Sequence, residues 1–533
     1  MIWHLAKKDF LNNIVSARFI IGFVFCLVLV PFSILLNVGN YRDMMSQYTL
    51  DRDAAEKAVK ENRVYSGLRP EVVIPPEPLS IFSSGISGQV GNRVRISLGT
   101  KPMLATGKTA SGDNPFLSSF FSADFVGIAS IVFSLLALLF SYDAFTREKE
   151  DGTLRLQLAN PLGRARFVAG KVLGILMTLL PVLTFCYLLA AVLILFSPNI
   201  VFSGLEWGRI ALLFAISLLY LAVFVFIGIL VSALSRTSVT SLVFCLFVWV
   251  FFVFIVPNLS ANFAEDFVRV QSRDNLDRVL RDMDRQREMQ TAEEYRSQSI
   301  SSDRVYWWHN VGGDGYKEMY ASSRVFEIER QCSMISEPLR IEYADKKWAS
   351  QKAYLDSLTH QARVAETLSL ASPAGVFRTV ASAICATDLR PYANEMVRIR
   401  QYREAFIRYL QNKNIFASFR WFTPVPPESF LTDDEIIERR TGGEFKTAKA
   451  FWAWAAQLKD TRTYSQMLKN KIPGSQRDDY PFLDISDMPR FPEQSKAFLS
   501  GGADSVVGIG LLLVEMVFLF YLSFVTFIRY DVR

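Results

Sequence analysis

The stretch IALLFAISLLYLAVFVFIGILVSALSRTSVTSLVFCLFVWVFFVFIV, residues 210–256, determines the fold class. It contains two apolar runs, 210–234 and 239–256, separated by a short polar turn around Arg236. A helix needs about 20 apolar residues to cross the hydrocarbon core of a bilayer, and both runs are close to this length. The stretch therefore predicts two membrane-spanning helices joined by a tight turn.

Four further apolar runs repeat this pattern along the chain. Half of the 533 residues are hydrophobic and only 21% are charged, which is less than the roughly 25% of an ordinary soluble domain. The first run is too long for a signal peptide and has no small-residue cleavage site, so we interpret it as a helix that follows an interfacial helix. Six membrane-spanning helices are predicted, at 18–37, 121–140, 168–196, 210–234, 239–256 and 505–528.

Basic residues mark one side of the predicted spans as the cytoplasm. The loop 141–171 is the richest in them, with Arg147, Lys149, Arg155, Arg164, Arg166 and Lys171. Both termini then lie in the cytoplasm, and the polar segments 38–120 and 257–502 lie outside. Flanking residues also account for the net charge of +6, and no Lys/Arg tract with interleaved aromatics is present, which excludes nucleic acid as a partner.

The two outer segments differ in their patterns. Segment 38–120 contains a Pro-rich stretch and alternating residues, which predict a small mixed α/β insertion. Segment 257–502 contains apolar stripes at helical spacing, one from Phe263 to Met283 and another from Val325 to Ile335 that ends near Pro338. Between them and the last span, residues 368–386 are apolar but too interrupted to cross the bilayer. We expect that stretch to pack on the membrane surface or against helix ends.

The loop SYDAFTREKEDGTLRLQLANPLGRARFVAGK, residues 141–171, is the most informative polar stretch. A charged cluster is followed by a turn at Gly152, alternating leucines and a break at Pro161. This order is typical of a short amphipathic element that lies flat on a membrane and presents charge to a soluble partner. On composition alone, an ordinary solvated loop of the positive-inside kind fits as well.

The order of residues in this loop resembles the ABC type-2 permease family. Members of that family carry an E-x-E-x-GTL pattern, then a Pro, an Arg and a GK that enters the third span. The matching positions here are Glu148, Glu150, Gly152, Thr153, Leu154, Pro161, Arg164, Gly170 and Lys171. The chain ending FIRYDVR and the entry SADF to the second span also look like a subfamily with a large outer insertion before the last helix, similar to permeases of copper-enzyme maturation.

The resemblance implies a membrane all-α, six-transmembrane-helix exporter-like fold with a large helical extracytoplasmic domain and a smaller insertion. The chain then divides into an N-terminal interfacial helix with the first span (1–37), the smaller insertion (38–120), the second to fifth spans with the coupling loop 141–171 (121–256), the large helical domain (257–502), and the sixth span with a short tail (503–533). It also implies a bacterial inner-membrane permease that acts with ATP-binding-cassette subunits and a second permease copy or a related permease. ATP and Mg would bind on the ATP-binding partner. The residues that would couple to that partner are Phe145, Glu148, Glu150, Gly152, Thr153, Leu154 and Arg164.

No catalytic, cofactor or metal site is predicted in the chain itself. The triplet Gly107-Lys108-Thr109 suggests a phosphate-binding loop, but that motif needs a glycine where Pro102 stands. The three histidines, His4, His309 and His360, have no metal-ligand partner at helical spacing. We therefore expect no enzyme activity in this chain. The alternative to a permease is a membrane receptor or scaffold whose outer helices bind an extracytoplasmic protein.

Two further features each allow a functional and a structural interpretation. Glu515 lies in the middle of the sixth run, where an ionisable side chain is costly. It is either a polar point on a transport path or a protonated side chain that bonds to a neighbouring helix. Cys332 and Cys385 share the outer side in this topology, so a disulfide between them is a hypothesis.

Overall fold

The computed structural model is mainly helical. Among the residues that it describes, six helical segments are long and apolar enough to cross a membrane, which confirms the predicted number. The six are Ala17–Lys60, Phe125–Glu150, Arg164–Leu195, Gly204–Leu234, Ser238–Phe267 and Ser505–Ile528. The structure describes residues 2–85, 91–99, 124–154, 163–198, 200–300, 320–458, 466–468, 470–492 and 502–529.

The secondary-structure elements are numbered in chain order. The helices are α1 Ile2–Ile14, α2 Ala17–Lys60, α3 Phe125–Ser141, α4 Thr146–Glu150, α5 Arg164–Leu195, α6 Gly204–Leu234, α7 Ser238–Val250, α8 Val256–Phe267, α9 Arg273–Ser297, α10 Ser323–Ser369, α11 Pro373–Cys385, α12 Leu389–Asn412, α13 Asp433–Arg440, α14 Ala448–Ala455 and α15 Gly502–Ile528. A π-helical turn, Phe251–Ile255, joins α7 to α8. Two strands, β1 (Glu71–Val73) and β2 (Arg93–Arg95), form an antiparallel pair.

Helices α3 and α6 form the interior of the membrane bundle. About 70% of the residues in an apolar 18-residue stretch of each span is buried within the chain. The corresponding share is only 17–28% for α2, α7–α8 and α15. The outward apolar side chains of these three, such as Val28, Val243 and Val517, suit contact with lipid. We call the end of the bundle that carries residues 141–171 the loop end, and the opposite end, which carries the polar domain, the domain end.

The first span is much longer than the apolar run that predicts it. Helix α2 contains 44 residues, which is about 66 Å at 1.5 Å per residue, roughly twice the hydrocarbon thickness. Beyond residue 37 the sequence turns polar but stays helical, with i,i+4 ion pairs Lys60–Glu56 and Lys57–Glu61 near the end. The insertion predicted from residue 38 therefore begins as a continuation of the first span's helix, and its strands, β1 and β2, follow later.

The two polar segments form one domain with a shared hydrophobic core. Val72 and Val94 of the β1–β2 pair pack in the same cluster as Tyr392 and Phe406 of α12. The guanidinium of Arg403, which is completely buried, donates to the carbonyl oxygens of Ser97 (2.9 Å) and Leu98 (2.6 Å). The two insertions predicted from the sequence thus share one core, which the local sequence does not reveal because the partners lie about 300 residues apart.

Helix α11 lies in the domain end of the bundle. It is the apolar stretch that the sequence places at the membrane surface or against helix ends, and it packs on α15, α6 and α3. The ring of Phe377 stacks on Tyr220 of α6 at 4.4 Å, and the Arg378 guanidinium donates to Ser130 Oγ of α3 at 2.9 and 3.0 Å. Gly508 of α15 lies against Val380 so closely that a Cβ would overlap it. The stretch therefore packs into the bundle at this end.

Helix boundaries in the polar domain depart from the predicted stripes. The first stripe breaks after α8, where Gln361 Nε2 donates to the Val268 carbonyl (2.8 Å) and Ser272 caps α9. The second stripe does not end at Pro338, since α10 runs through it for 47 residues. Contacts with α9 hold α10 on the C-terminal side of this proline, including the Lys347–Asp284 ion pair at 2.5 Å. Tertiary packing thus overrides a proline that costs an isolated helix about 3 kcal/mol.

No disulfide joins Cys332 to Cys385, so the hypothesis of a disulfide between them is wrong for this structure. Along α10, 37 residues separate Cys332 from Ser369, which is about 55 Å of helix. Ser369 touches Gly375 of α11, and Cys385 is ten residues further on, about 15 Å away. A disulfide needs Cα atoms within about 7 Å of each other, which this separation excludes.

Two carboxyl groups meet at the junction of α10, α11 and α12. The pKa of Glu366 is raised to about 7, mainly by removal from water and also by the charge of Asp388, against the opposing charges of Arg390 and Arg363. Burial also raises the pKa of Asp388 to about 6. Because both folded pKa values exceed those of the unfolded chain, the native state binds more protons between about pH 4 and 7, and stability falls as pH rises through this range.

We expect the purified protein to melt a few degrees higher at pH 5.5 than at pH 8. The measurement is thermal unfolding in detergent at both pH values. The double variant Glu366→Gln/Asp388→Asn should lose most of this difference, since its side chains stay neutral at both. An equal pH dependence in the double variant would contradict the assignment.

Candidate functional site

We call residues 141–171 the loop-end motif. It begins where α3 leaves the bundle. A turn after Ser141 buries the ring of Phe145 completely, 4.3 Å from Phe527 of α15 and 6.1 Å from Phe167 of α5. The backbone N–H groups of Phe145 and Thr146 donate to Ser232 Oγ of α6 at 3.0 and 3.2 Å. Phe145 is therefore part of the core and offers no surface to a partner.

Glu148 forms a buried ion cluster with two other elements. Its carboxylate lies 2.5 Å from the Lys171 ammonium of α5, and Asp9 of α1 lies 3.3 Å from the same group. The Lys171 side chain is only 8% exposed. One buried cation between two carboxylates thus joins α1, α4 and α5. The sequence motif contains Glu148 and Lys171, but Asp9 lies 162 residues from Lys171 and has no local signal.

The next two residues bind the ends of neighbouring spans. The Lys149 ammonium donates to the carbonyl oxygens of Ala233 (2.8 Å) and Ser235 (2.9 Å), where a cation complements the C-terminus of α6. The Glu150 carboxylate accepts from the Ser238 N–H (2.9 Å) and hydroxyl (2.5 Å), where an anion suits the N-terminus of α7. Three consecutive charged residues therefore contact α5, α6 and α7 in turn.

The remaining predicted coupling residues divide between surface and core. Gly152 has a φ of +68° and ends α4, which explains the glycine at this place in the motif. Leu154 is buried, Thr153 is half-buried, and Arg164 donates to the Ile528 carbonyl at the end of α15. The outward-facing residues between Ser141 and Leu154 are Arg147, Glu150, Asp151 and Gly152. The later leucines of the motif fall in residues 155–162, outside the described residues.

The geometry of the motif suits transmission of movement. Arg18 of α2 also reaches it, through an ion pair with Asp143 at 2.8 Å. A force on the exposed edge around Arg147 and Asp151 would reach the loop ends of α2, α5, α6 and α7 through direct polar contacts. The sequence alone identifies the motif. It does not show that most of the motif makes contacts within the chain.

Other predicted residues lie elsewhere. Glu515 of α15 is half-buried, and its Oε2 atom is buried without a hydrogen-bond partner among the described residues. It lies far along α15 from Phe527, about 18 Å at 1.5 Å per residue, and so is not part of the motif. The triplet 107–109 and His309 fall outside the described residues. Within the described part of the chain, no group of three metal-ligating side chains is present.

Comparison with known proteins matches nearly the whole chain to one family. The sequence model of that family, described as "ABC-2 family transporter protein", matches residues 3–532. The chain is also similar to the probable ABC transporter permease protein NosY of Pseudomonas aeruginosa, with 46% identity over 52 residues, 10% of this chain and 19% of that protein. It shares 42% identity over 69 residues, 13% of this chain, with NosY of Stutzerimonas stutzeri. The chain thus matches only a fifth to a quarter of the length of these curated relatives.

Proposed function

Because the chain belongs to the ABC-2 family of transporter proteins, we propose that it is the permease subunit of an ATP-binding-cassette complex, moved by ATP hydrolysis on a separate subunit. The observation that carries this is the loop-end motif, in which Glu148, Lys149 and Glu150 contact three different spans. A partner that binds the exposed edge of the motif and prefers one arrangement of these spans would shift the whole bundle.

The proposed complex contains two ATP-binding subunits and a second permease, either a copy of this chain or a related one. The ATP and Mg would be held by the ATP-binding subunits. The loop end faces the cytoplasm of a bacterium in this proposal, with both termini on that side and the polar domain outside the inner membrane.

The polar domain favours transmission of movement across the membrane over a simple export path. Helix α11 packs in the domain end of the bundle, where Phe377 and Arg378 bind α6 and α3. It follows directly after α10, which is about 70 Å long at 1.5 Å per residue for its 47 residues. Movement of α3 or α6 would therefore displace α10, whose length amplifies the displacement in the polar domain.

Charge reversal at the exposed edge of the motif tests the proposed docking. Arg147→Glu combined with Asp151→Lys should reduce co-purification of the ATP-binding subunit by at least about tenfold, which corresponds to about 1.4 kcal/mol. The measurement is the ratio of the two subunits after purification in detergent, together with ATPase activity. Thermal unfolding should be unchanged, because both side chains point outward.

Arg439→Glu is the matched control, since Arg439 is exposed in the polar domain and should leave the ratio unchanged. A chain that purifies without any ATP-binding subunit, or one whose pairing ignores the reversed charges, would contradict the proposal.

A further inference from the structure

A cleft of about 750 Å³ lies in the polar domain, away from the loop-end motif. Its volume is within the roughly 300–1,000 Å³ of ligand pockets. One helical wall is a face of α2 and the other a face of α12. The two remaining walls are the extended chain at 70–77 and the irregular segment 485–492, in which Met488 N–H donates to the Ile485 carbonyl to close a turn. The function proposed above makes no use of this cleft.

The extended wall at 70–77 presents its backbone edge to the cleft. All eight consecutive residues of this stretch line it, whereas a strand that presents a face would contribute every second residue. The partner strand β2 occupies the other edge of β1. The open edge of a two-stranded pair therefore forms one side of the cleft.

The alternation of hydrogen bonds along β1 identifies the groups on this edge. Ile96 N–H donates to the Pro70 carbonyl (2.8 Å) and Ile74 N–H to the Asn92 carbonyl (2.7 Å), so residues 70, 72 and 74 bond to β2. In an antiparallel pair the intervening residues point the other way. The N–H groups of Glu71 and Val73 thus face outward, and no hydrogen bond to them is formed among the described residues.

The composition of the cleft excludes a strongly charged ligand. Four basic side chains line it, and four acidic ones offset them: Arg52, Lys60, Arg398, Arg490, Glu56, Glu71, Glu77 and Glu395. The far side is an aromatic wall in which Phe491 packs edge-on against Tyr402 at 5.6 Å, under the Arg398 guanidinium at 4.9 Å. A neutral ligand with alternating donors and acceptors matches this wall and the open edge together.

We propose that the cleft binds an extended polypeptide segment of another protein, which adds as a short strand to the open edge of β1. Main-chain addition to a free edge provides affinity, and the aromatic wall selects the side chains that face it. Prolines at 70, 75 and 76 bound the edge and limit the added strand to a few residues. The proposal does not depend on ATP coupling at the loop end.

A selection experiment with the full chain in lipid nanodiscs tests this. The probe is a phage-displayed library of random 12-residue peptides, with empty nanodiscs for subtraction. We expect enriched peptides that protect the Glu71 and Val73 amides from hydrogen exchange. Val73→Pro removes one outward N–H without removing a bond to β2, and should weaken peptide binding at least tenfold. Val73→Thr keeps that N–H and should change binding less than threefold.

N-methylated versions of an enriched peptide make the test independent of how the variants fold. Methylation of the backbone nitrogens in one alternating register should abolish binding, while methylation in the other register should preserve it. Equal effects of the two registers, an absence of enriched peptides, or unchanged binding to Val73→Pro would overturn the proposal. Enriched peptides that reproduce a stretch of this chain would overturn the choice of another protein as the partner.

Discussion

Lys171→Met should destabilise the membrane bundle by about 3–5 kcal/mol and abolish ATP-dependent activity of the complex. The substitution removes the cation between Glu148 (2.5 Å) and Asp9 (3.3 Å) and leaves two carboxylates buried beside each other. Like charges in a poorly solvated site repel, and methionine occupies a similar volume without offering a donor. The cost therefore comes from uncompensated charge and not from a cavity.

The measurement is the midpoint of thermal unfolding in detergent, which should fall by roughly 6–20 °C if about 2–4 °C corresponds to 1 kcal/mol. The matched control is the triple variant Lys171→Met/Glu148→Gln/Asp9→Asn, which removes the charges of all three partners. It should regain most of the lost stability, because a neutral set has no unpaired charge.

The same pair of variants separates folding from coupling. If Glu148 and Lys171 transmit movement from the motif to α5, the triple variant should fold and bind the ATP-binding subunit but show reduced coupling between ATPase activity and the permease. Full coupling in a stable triple variant would show that the ion cluster serves only to hold α1, α4 and α5 together.

Arg403→Met should separate the two halves of the polar domain. The Arg403 guanidinium is completely buried, bonds to the carbonyls of Ser97 and Leu98, and lies 3.6 Å from Asp345. Its loss leaves two carbonyl oxygens without this charged donor. We expect a loss of about 3–5 kcal/mol for the domain, because each carbonyl oxygen that loses its charged donor costs about 1–3 kcal/mol.

Limited proteolysis of the full chain measures this effect. Cleavage within 91–99 should become much faster in Arg403→Met, while the membrane bundle stays protected. Arg400→Met is the matched control on the same helix, because its ion pair with Glu404 is about 40% exposed and such pairs contribute only about 0–1 kcal/mol. Equal cleavage rates in the two variants would contradict the structural role of Arg403.

Parts of the fold whose cause is local could be predicted from the sequence. Each span is detectable because about 20 apolar residues in succession have few alternatives to crossing a bilayer. The motif around Glu148 and Glu150 is detectable because its glycine and charges have a fixed order. Partners distant in sequence could not be predicted: Asp9 for Lys171, and Ser97 for Arg403, lie 162 and 306 residues away. A side chain has no local signature for a partner that only the folded chain brings near.

The six apolar runs determine, by themselves, that this is a multi-pass membrane protein, since the bilayer requires each run to satisfy its own backbone hydrogen bonds as a helix. Only the tertiary structure decides how the polar parts are used. It continues α2 into the polar domain, carries α10 through Pro338, packs α11 into the bundle and joins the two polar segments around Arg403. Those features depend on packing between distant elements, which overrides local propensity wherever enough surface is buried.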